Sequence, residues 1–254
     1  MIDVKNLCVG YGKTSVLSGV SLSLEKGEFV SIIGTNGSGK STLLKAILGM
    51  IEINSGEILV DGEKTAELSR GAIARKIAYL AQGKSVPDMT VGQMVLHGRF
   101  PHLGYPRRYS ENDRKIAAAA LEQTGLSEYK EMPLPSLSGG MRQNAYIAMA
   151  LAQQTDYVLL DEPTSYLDIT HQIRLMKTLR GLSDSGKGIA AVMHDLPLAF
   201  GFSDKIAVLD DGKIALFDTP ENVCESKITG KIFGVELKFN SAEKYYFYDM
   251  KNAL

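Results

Sequence analysis

Tryptophan is missing from the 254 residues, and cysteine occurs only twice, at Cys8 and Cys224. Two thiols make neither a disulfide framework nor a metal-binding spacing, so both are expected to be reduced and buried, and a core must hold the chain together. An excess of one charge sign is missing too: 28 Lys and Arg face 29 Asp and Glu, a net charge of −1. Without an overall basic field, nucleic acid is not expected as a main partner. Long apolar runs are also absent. The longest, over 145–152, falls far short of the ~18–20 residues that cross a bilayer. Near the start, Asp3 stands where a secretory signal would carry positive charge before an apolar segment. The expectation is a cytosolic protein, or one that reaches a membrane only through a partner.

What is present is an ordinary globular composition, 44% hydrophobic and 22% charged, which excludes disorder and supports a real core in one large or two modest domains. No internal repeat or low-complexity tract occurs. Residues 4–9 form a short apolar strand pattern. Val20, Leu22 and Leu24 alternate with Ser21, Ser23 and Glu25, the period of a half-buried strand. Residues 29–33 are continuously apolar, as a buried central strand requires. A helix is expected over 42–50, and strands over 56–62 and 77–81. From 83 to 154 the strand signals give way to helices at 111–123 and 140–153, with a loop over 100–109 broken by Pro101, Gly104 and Pro106. Strand and helix then alternate again: strands at 157–160, 189–193, 206–209 and 213–217, helices at 168–182 and 195–200. The tail over 235–250 reads as strands. The pattern is an α/β body interrupted by a helical insertion.

Gly34-Thr-Asn-Gly-Ser-Gly-Lys40-Ser41 matches G-x-x-x-x-G-K-[ST] in full, between a buried strand and a helix. Gly34, Gly37 and Gly39 let the backbone of Thr35, Asn36 and Ser38 wrap closely around phosphate, and the helix that carries Ser41 and Thr42 adds its positive end. Lys40 would reach the β- and γ-phosphates, and the Ser41 hydroxyl would ligate Mg²⁺. A chance glycine-rich turn is the competing reading, which the strand–loop–helix context disfavours. A second element is the apolar strand ending in Asp161 and Glu162. Carboxylates at the carboxyl end of a central strand meet the ligand in such sheets. Asp161 fits the Mg²⁺ partner, through water, and Glu162 lies further out, able to polarise an attacking water.

A third element, Leu137-Ser-Gly-Gly140, opens the last helix of the insertion. Ser138 is a plausible N-cap, and the small Gly139 and Gly140 leave room for phosphate at the helix start. With these motifs in this order, the chain resembles an ATP-binding cassette (ABC) nucleotide-binding domain over essentially its whole length. The resemblance implies an α/β P-loop NTPase (RecA-like) core sheet with an antiparallel β subdomain and a helical insertion carrying the signature motif. It implies one domain over 1–254, with a catalytic core of 1–82 and 155–254 and a helical subdomain of 83–154. It assigns Tyr11 to adenine stacking, Gln82 to the glutamine joining core and insertion (with Ser41 and Asp161, a metal contact), Asp168 to the dimer-contacting loop and His194 to the γ-phosphate. ATP and Mg²⁺ would be the cofactors. Taken singly, Tyr11 would be a packed turn aromatic, Gln82 a solvated strand end and His194 a helix-capping histidine. His97, His102 and His171 match no nucleotide motif and are expected at the surface or against a partner.

The stretch from Val95 through Arg99, Phe100, Pro101, His102 and Gly104, with the helix at 111–124, is further similar to ATPase subunits that drive metal-chelate import. That group handles ferric siderophores, haem and cobalamin. The resemblance implies a homodimer on two membrane permease subunits at the cytoplasmic face of the membrane, fed by a separate substrate-binding protein. Met141, Asn144, Met149 and Ala81 depart from the usual pattern, which bears on the packing of the signature helix and on turnover. The rival reading is a soluble ABC ATPase with a task such as Fe–S assembly. A P-loop kinase or GTPase is more distant, since no N-K-x-D guanine motif is present and the signature loop would go unexplained.

Overall fold

The computed structural model describes residues 1–12, 14–81, 83, 86–243 and 245–249. In chain order these form β1 (Ile2–Tyr11), β2 (Thr14–Leu24), β3 (Phe29–Gly34), α1 (Lys40–Ile47), β4 (Ser55–Val60), β5 (Glu63–Lys64), α2 (Arg70–Lys76) and β6 (Ile77–Leu80). Then come α3 (Val91–His97), α4 (Glu111–Gln123), α5 (Gly139–Ala152), β7 (Tyr157–Asp161), α6 (Ile169–Asp184), β8 (Gly188–Val192) and α7 (Leu196–Phe202). The remainder is β9 (Lys205–Asp210), β10 (Lys213–Asp218), α8 (Pro220–Glu225), α9 (Ile228–Phe233), β11 (Leu237–Asn240) and β12 (Tyr245–Tyr248).

The main sheet has the order β10-β9-β3-β8-β7-β6. Its strands from β9 to β6 are parallel, and β10 closes one edge antiparallel to β9. A parallel sheet must be covered on both faces, which is why β3, β7 and β8 are buried at every residue. Alternate side chains serve the two faces. Val30, Ile32, Leu159 and Val192 pack with Leu43, Leu44 and Ile47 of α1 and with the antiparallel sheet β2-β1-β4-β5. Phe29, Ile33, Val158, Leu160 and Ile189 pack instead on α5, α6 and α7. A third cluster, including Val91, Val95, Leu121 and Ala148, is built by α3, α4 and α5.

The tail folds as a hairpin of β11 with β12, seated by Tyr246, whose ring lies edge-on to Phe200 at 5.3 Å. The stretch over 100–109 holds one short 3-10 turn, Phe100–His102, and is otherwise irregular. The cysteines depart from expectation: both are free but only half-buried. In β1 the core face is taken by Leu7 and Val9, so the alternation turns Cys8 outward. Cys224 belongs to α8 and directs its thiol at the Leu237 carbonyl of β11 at 3.2 Å. Among the described residues no helix is long and apolar enough to cross a membrane.

Leu159 is fully buried in β7, whereas Ile173 on α6 is 36% exposed. Leu159→Ala should cost ~2–5 kcal/mol in urea unfolding, and Ile173→Ala less than ~1 kcal/mol. Equal losses would contradict this placement of the core.

Candidate nucleotide-binding and catalytic site

The phosphate loop leaves β3 at Gly34, where only glycine fits: an added Cβ would come within 2.2 Å of the Leu209 carbonyl oxygen. Gly37 and Gly39 take φ values of +84° and +103°, the left-handed region that side chains avoid. The chain then enters α1 with no acidic residue in its first turn, which leaves the helix's positive end uncompensated. Lys40 is 6% exposed, and its Nζ donates to the carbonyls of Gly34 and Thr35, both at 2.9 Å. Burial lowers its pKa, opposed by the nearby charges of Glu162 and Asp161. The Ser38 hydroxyl is buried and has no hydrogen-bond partner among the described residues. Thr35 and Asn36 are exposed and Thr42 half-buried. A polar nest with an orphaned hydroxyl and a desolvated ammonium is a fitted receptor for an anion.

The Ser41 hydroxyl donates to Asp161 Oδ1 at 3.0 Å. Tyr79 approaches the other oxygen of Asp161 at 3.4 Å, and its hydroxyl is pushed up to about 12, first by burial and then by that carboxylate. Ser41 and Asp161 thus bring together the hard oxygen donors that suit Mg²⁺. Tyr79 was not identified from sequence. No signal in the sequence marks it, because its contact with Asp161 comes from the pairing of β6 with β7.

Glu162 follows with φ +52°, a conformation a non-glycine residue adopts rarely and one associated with functional turns. One carboxylate oxygen lies 2.7 Å from His194 Nε2, and the other accepts from Ser165 Oγ at 3.1 Å. Burial alone would raise the Glu162 carboxyl. The His194 and Ser165 contacts and the charge of Lys40 outweigh it, so the group is held below the usual carboxylate range. It is therefore ionised at neutral pH.

Ser138 caps α5, its hydroxyl accepting from the Met141 amide at 3.3 Å, while Arg142 donates to the Leu137 carbonyl at 2.9 Å. Gly140 packs against His171 so closely that a Cβ would meet the ring at 2.0 Å. That ring is held at 2.8 Å by Asp168, which also caps α6 by accepting from the His171 amide at 2.9 Å. His171, expected at the surface or against a partner, is half-buried with its ring still partly exposed, against the signature turn and Asp168. Its spacing from Asp168 was the available signal.

The structure brings Lys40, Ser41, Asp161, Glu162 and His194 together. The cavity over the phosphate loop, about 190 Å³, is walled by residues that include Val16, Asn36, Lys40, Ser41 and Glu162. That is below the ~300–1,000 Å³ of a complete small-molecule pocket. Ser138, Gly139 and Gly140 are not among its walls; Gly139 lines a neighbouring cavity with Asp161 and Glu162. Tyr11 stands 52% exposed at the end of β1, outside those walls. Gln82 lies outside the described residues. A third cavity, an apolar groove of about 390 Å³, runs between Met50, Ile73, Phe100, Pro101 and Met149, with Arg70 and His97 also on its walls.

Comparison with known proteins gives a consistent result. The family model for ABC transporters matches residues 17–165. The petrobactin import ATP-binding protein FpuD of Bacillus anthracis is 39% identical, over 94% of this chain and 89% of that protein. The ferric enterobactin transport ATP-binding protein FepC of Escherichia coli is 37% identical, over 91% and 86% respectively. A dimeric structure of a bacterial ABC transporter cassette superposes with a TM-score of 0.75 at 32% identity, covering 87% of this chain and 99% of that one.

Lys40→Ala should weaken ATP binding by ~1–2 kcal/mol, roughly five- to thirtyfold, because a charge-assisted contact to phosphate is lost. Calorimetry returning the wild-type affinity would contradict the role given to Lys40.

Proposed function

The chain belongs to the ABC transporter family, and from that premise we propose that it is the ATP-hydrolysing subunit of an importer that takes up a metal chelate: a ferric siderophore, haem or cobalamin. What carries the reading is the near end-to-end similarity to ATP-binding proteins named for petrobactin import and ferric enterobactin transport. A soluble Fe–S assembly ATPase would share the catalytic residues but finds no support in that likeness. A kinase or GTPase does not fit the family.

In this reading the phosphate loop cradles the triphosphate with its backbone amides, and Lys40 moves from the Gly34 and Thr35 carbonyls to the β- and γ-phosphates. Mg²⁺, which Ser41 and Asp161 suit, would neutralise charge between those phosphates. Glu162, already ionised, accepts a hydrogen bond from the water that attacks the γ-phosphorus, and His194, which rests on that carboxylate, is assigned to the γ-phosphate once the nucleotide is bound. The water oxygen bonds to phosphorus as the bond to the bridging β–γ oxygen breaks; ADP leaves with that bond's electron pair, and one water proton is released through Glu162 to solvent. Ser138, Gly139 and Gly140 do not wall the cavity of their own phosphate loop. They are assigned to the triphosphate of a second copy, so two chains clasp two nucleotides between them. Tyr11 and Gln82 are assigned to adenine and to the metal-side contact. Asp168 shapes the dimer-facing loop.

Two permease subunits would present a short helix each to the apolar groove, which places the chain peripherally on the cytoplasmic face of the membrane. A substrate-binding protein would deliver the chelate to the permease.

A strain lacking this chain should lose uptake of at least one labelled chelate among a ferric siderophore, haem and cobalamin, each assayed in turn, and the wild-type gene should restore it. Glu162→Gln should fail to restore it, with ATP turnover down at least ~100-fold, while the purified variant accumulates an ATP-bound dimer in size-exclusion chromatography. Wild-type turnover by Glu162→Gln, or undiminished uptake of all three in the deletion strain, would refute the assignment.

A further inference from the structure

Arg99, two residues beyond α3, is 6% exposed, and nothing in the nucleotide chemistry uses it. Its Nε donates to Asp113 Oδ1 at 2.9 Å. One of its terminal nitrogens donates to the Ala152 carbonyl at 2.9 Å and to Gln154 Oε1 at 3.0 Å. Asp113, itself 8% exposed, is the third residue of α4 and closes a capping box there: its other oxygen accepts from the Ser110 amide at 2.9 Å. Ser110 and the guanidinium hold the Asp113 carboxyl down at about 2, so the pair stays charged at every physiological pH.

One guanidinium therefore joins the positive end of α4, through Asp113, to the negative end of α5. Carbonyls in the last turn of a helix have no partner within the helix. Here they are taken from outside: Ala152 by Arg99, and Gln153 by His102, whose Nε2 lies 2.9 Å away. The Gln153 side chain in turn donates to the Ile77 carbonyl at 3.1 Å. Gly98 packs so tightly here that a Cβ would meet the Met149 carbonyl oxygen at 2.2 Å. The turn Phe100–His102 that follows Arg99 lends Phe100 and Pro101 to the wall of the apolar groove, together with Met149 and Gln153 of the α5 end.

The other end of α5 carries Ser138, Gly139 and Gly140. Its 14 residues span about 21 Å at 1.5 Å each. A buried ion pair stabilises little compared with apolar neighbours of the same volume, so it is better understood as a device for fixing geometry.

We propose that Arg99, braced by Asp113, is a positioning residue that locks the groove wall to the C-terminal end of α5, so that a membrane-subunit helix seated in the groove displaces Ser138 and Gly140 as one body with the wall. This inference rests on the reading of the chain as a transporter subunit. Without the lock the wall yields locally, and groove occupancy no longer reaches the nucleotide.

The test compares the detached protein with the complex formed by the membrane subunits that co-purify with it, reconstituted in nanodiscs. The double substitution Arg99→Met with Asp113→Leu removes both charges together and leaves neither buried alone. It loses the α4 capping box and the Ala152 carbonyl's donor, so it is expected to melt a few degrees lower while remaining folded, with the detached ATPase rate within twofold of wild type. In the complex it is expected to lower substrate-stimulated ATPase and uptake at least tenfold. Arg99→Lys, which cannot reach Asp113, Ala152 and Gln154 at once, should recover only part of the coupling. Gln154→Leu removes one acceptor from an exposed side chain, so it should fold even if the double variant does not, and should lower stimulated ATPase two- to fivefold with the detached rate unchanged. Wild-type stimulation in the double variant overturns the proposal. So does an equal loss in detached and complexed protein, or, where the double variant fails to fold, unaltered coupling in Gln154→Leu. A wild-type chain that recruits no membrane subunit and supports no uptake overturns instead the functional reading on which the proposal stands.

Discussion

Three neighbouring parallel strands ending on one edge of the sheet are the constraint on which the rest of the molecule depends. Val192 of β8 pairs with Ile32 of β3 on one side and with Asp161 of β7 on the other. The chain leaves that row at the phosphate loop, at His194 and at Glu162. No loop has to travel to bring these groups together, because backbone pairing sets their spacing. Ligand sites at the carboxyl edge of parallel sheets follow from this geometry. The covering of both sheet faces by α1, α5, α6 and α7 is what keeps the strands in register.

The charged groups at that edge are engaged with one another. Lys40 rests on two carbonyls of its own loop, Ser41 on Asp161, and Glu162 on His194 and Ser165. These contacts keep the charges satisfied in the folded protein; in the proposed mechanism a triphosphate and a water would replace them, so the cost of desolvation is met before reaction. The cavity over the loop is small and the signature turn is not on its walls, while Gly139 lines the neighbouring cavity with Asp161 and Glu162. In the proposed reading, one copy grips the phosphates with its loop and its signature turn closes over another copy's nucleotide.

Much of this was legible in the sequence because the chemistry is local. The phosphate loop, the acids after an apolar strand and the Ser-Gly-Gly cap are contiguous, and each is bounded by a period change that fixes the element it sits on. The alternating βα pattern, and even the weak strand signals of the tail, correspond to elements of the structure. What was illegible depends on contacts between distant segments. Tyr79 reaches Asp161 only because β6 lies beside β7, and His171 touches Gly140 only because α5 and α6 start near each other. Arg99 could be noticed in a motif, but its bonds to Ala152 and Asp113 join helix ends far apart in the chain. The positive φ of Glu162 has no glycine to announce it. Cys8 appeared buried from its apolar neighbours, yet strand alternation turns it outward.

The shared site can be tested by mixing two inactive proteins. Ser138→Arg should block the signature turn and Lys40→Ala the phosphate loop, so each alone should hydrolyse ATP at background rate. In a mixed dimer, one composite site keeps Lys40 from one chain and Ser138 from the other. An equimolar mixture should therefore regain up to about a quarter of wild-type activity if subunits pair at random. Full activity of Ser138→Arg by itself, or no recovery on mixing, would contradict a nucleotide held between two copies.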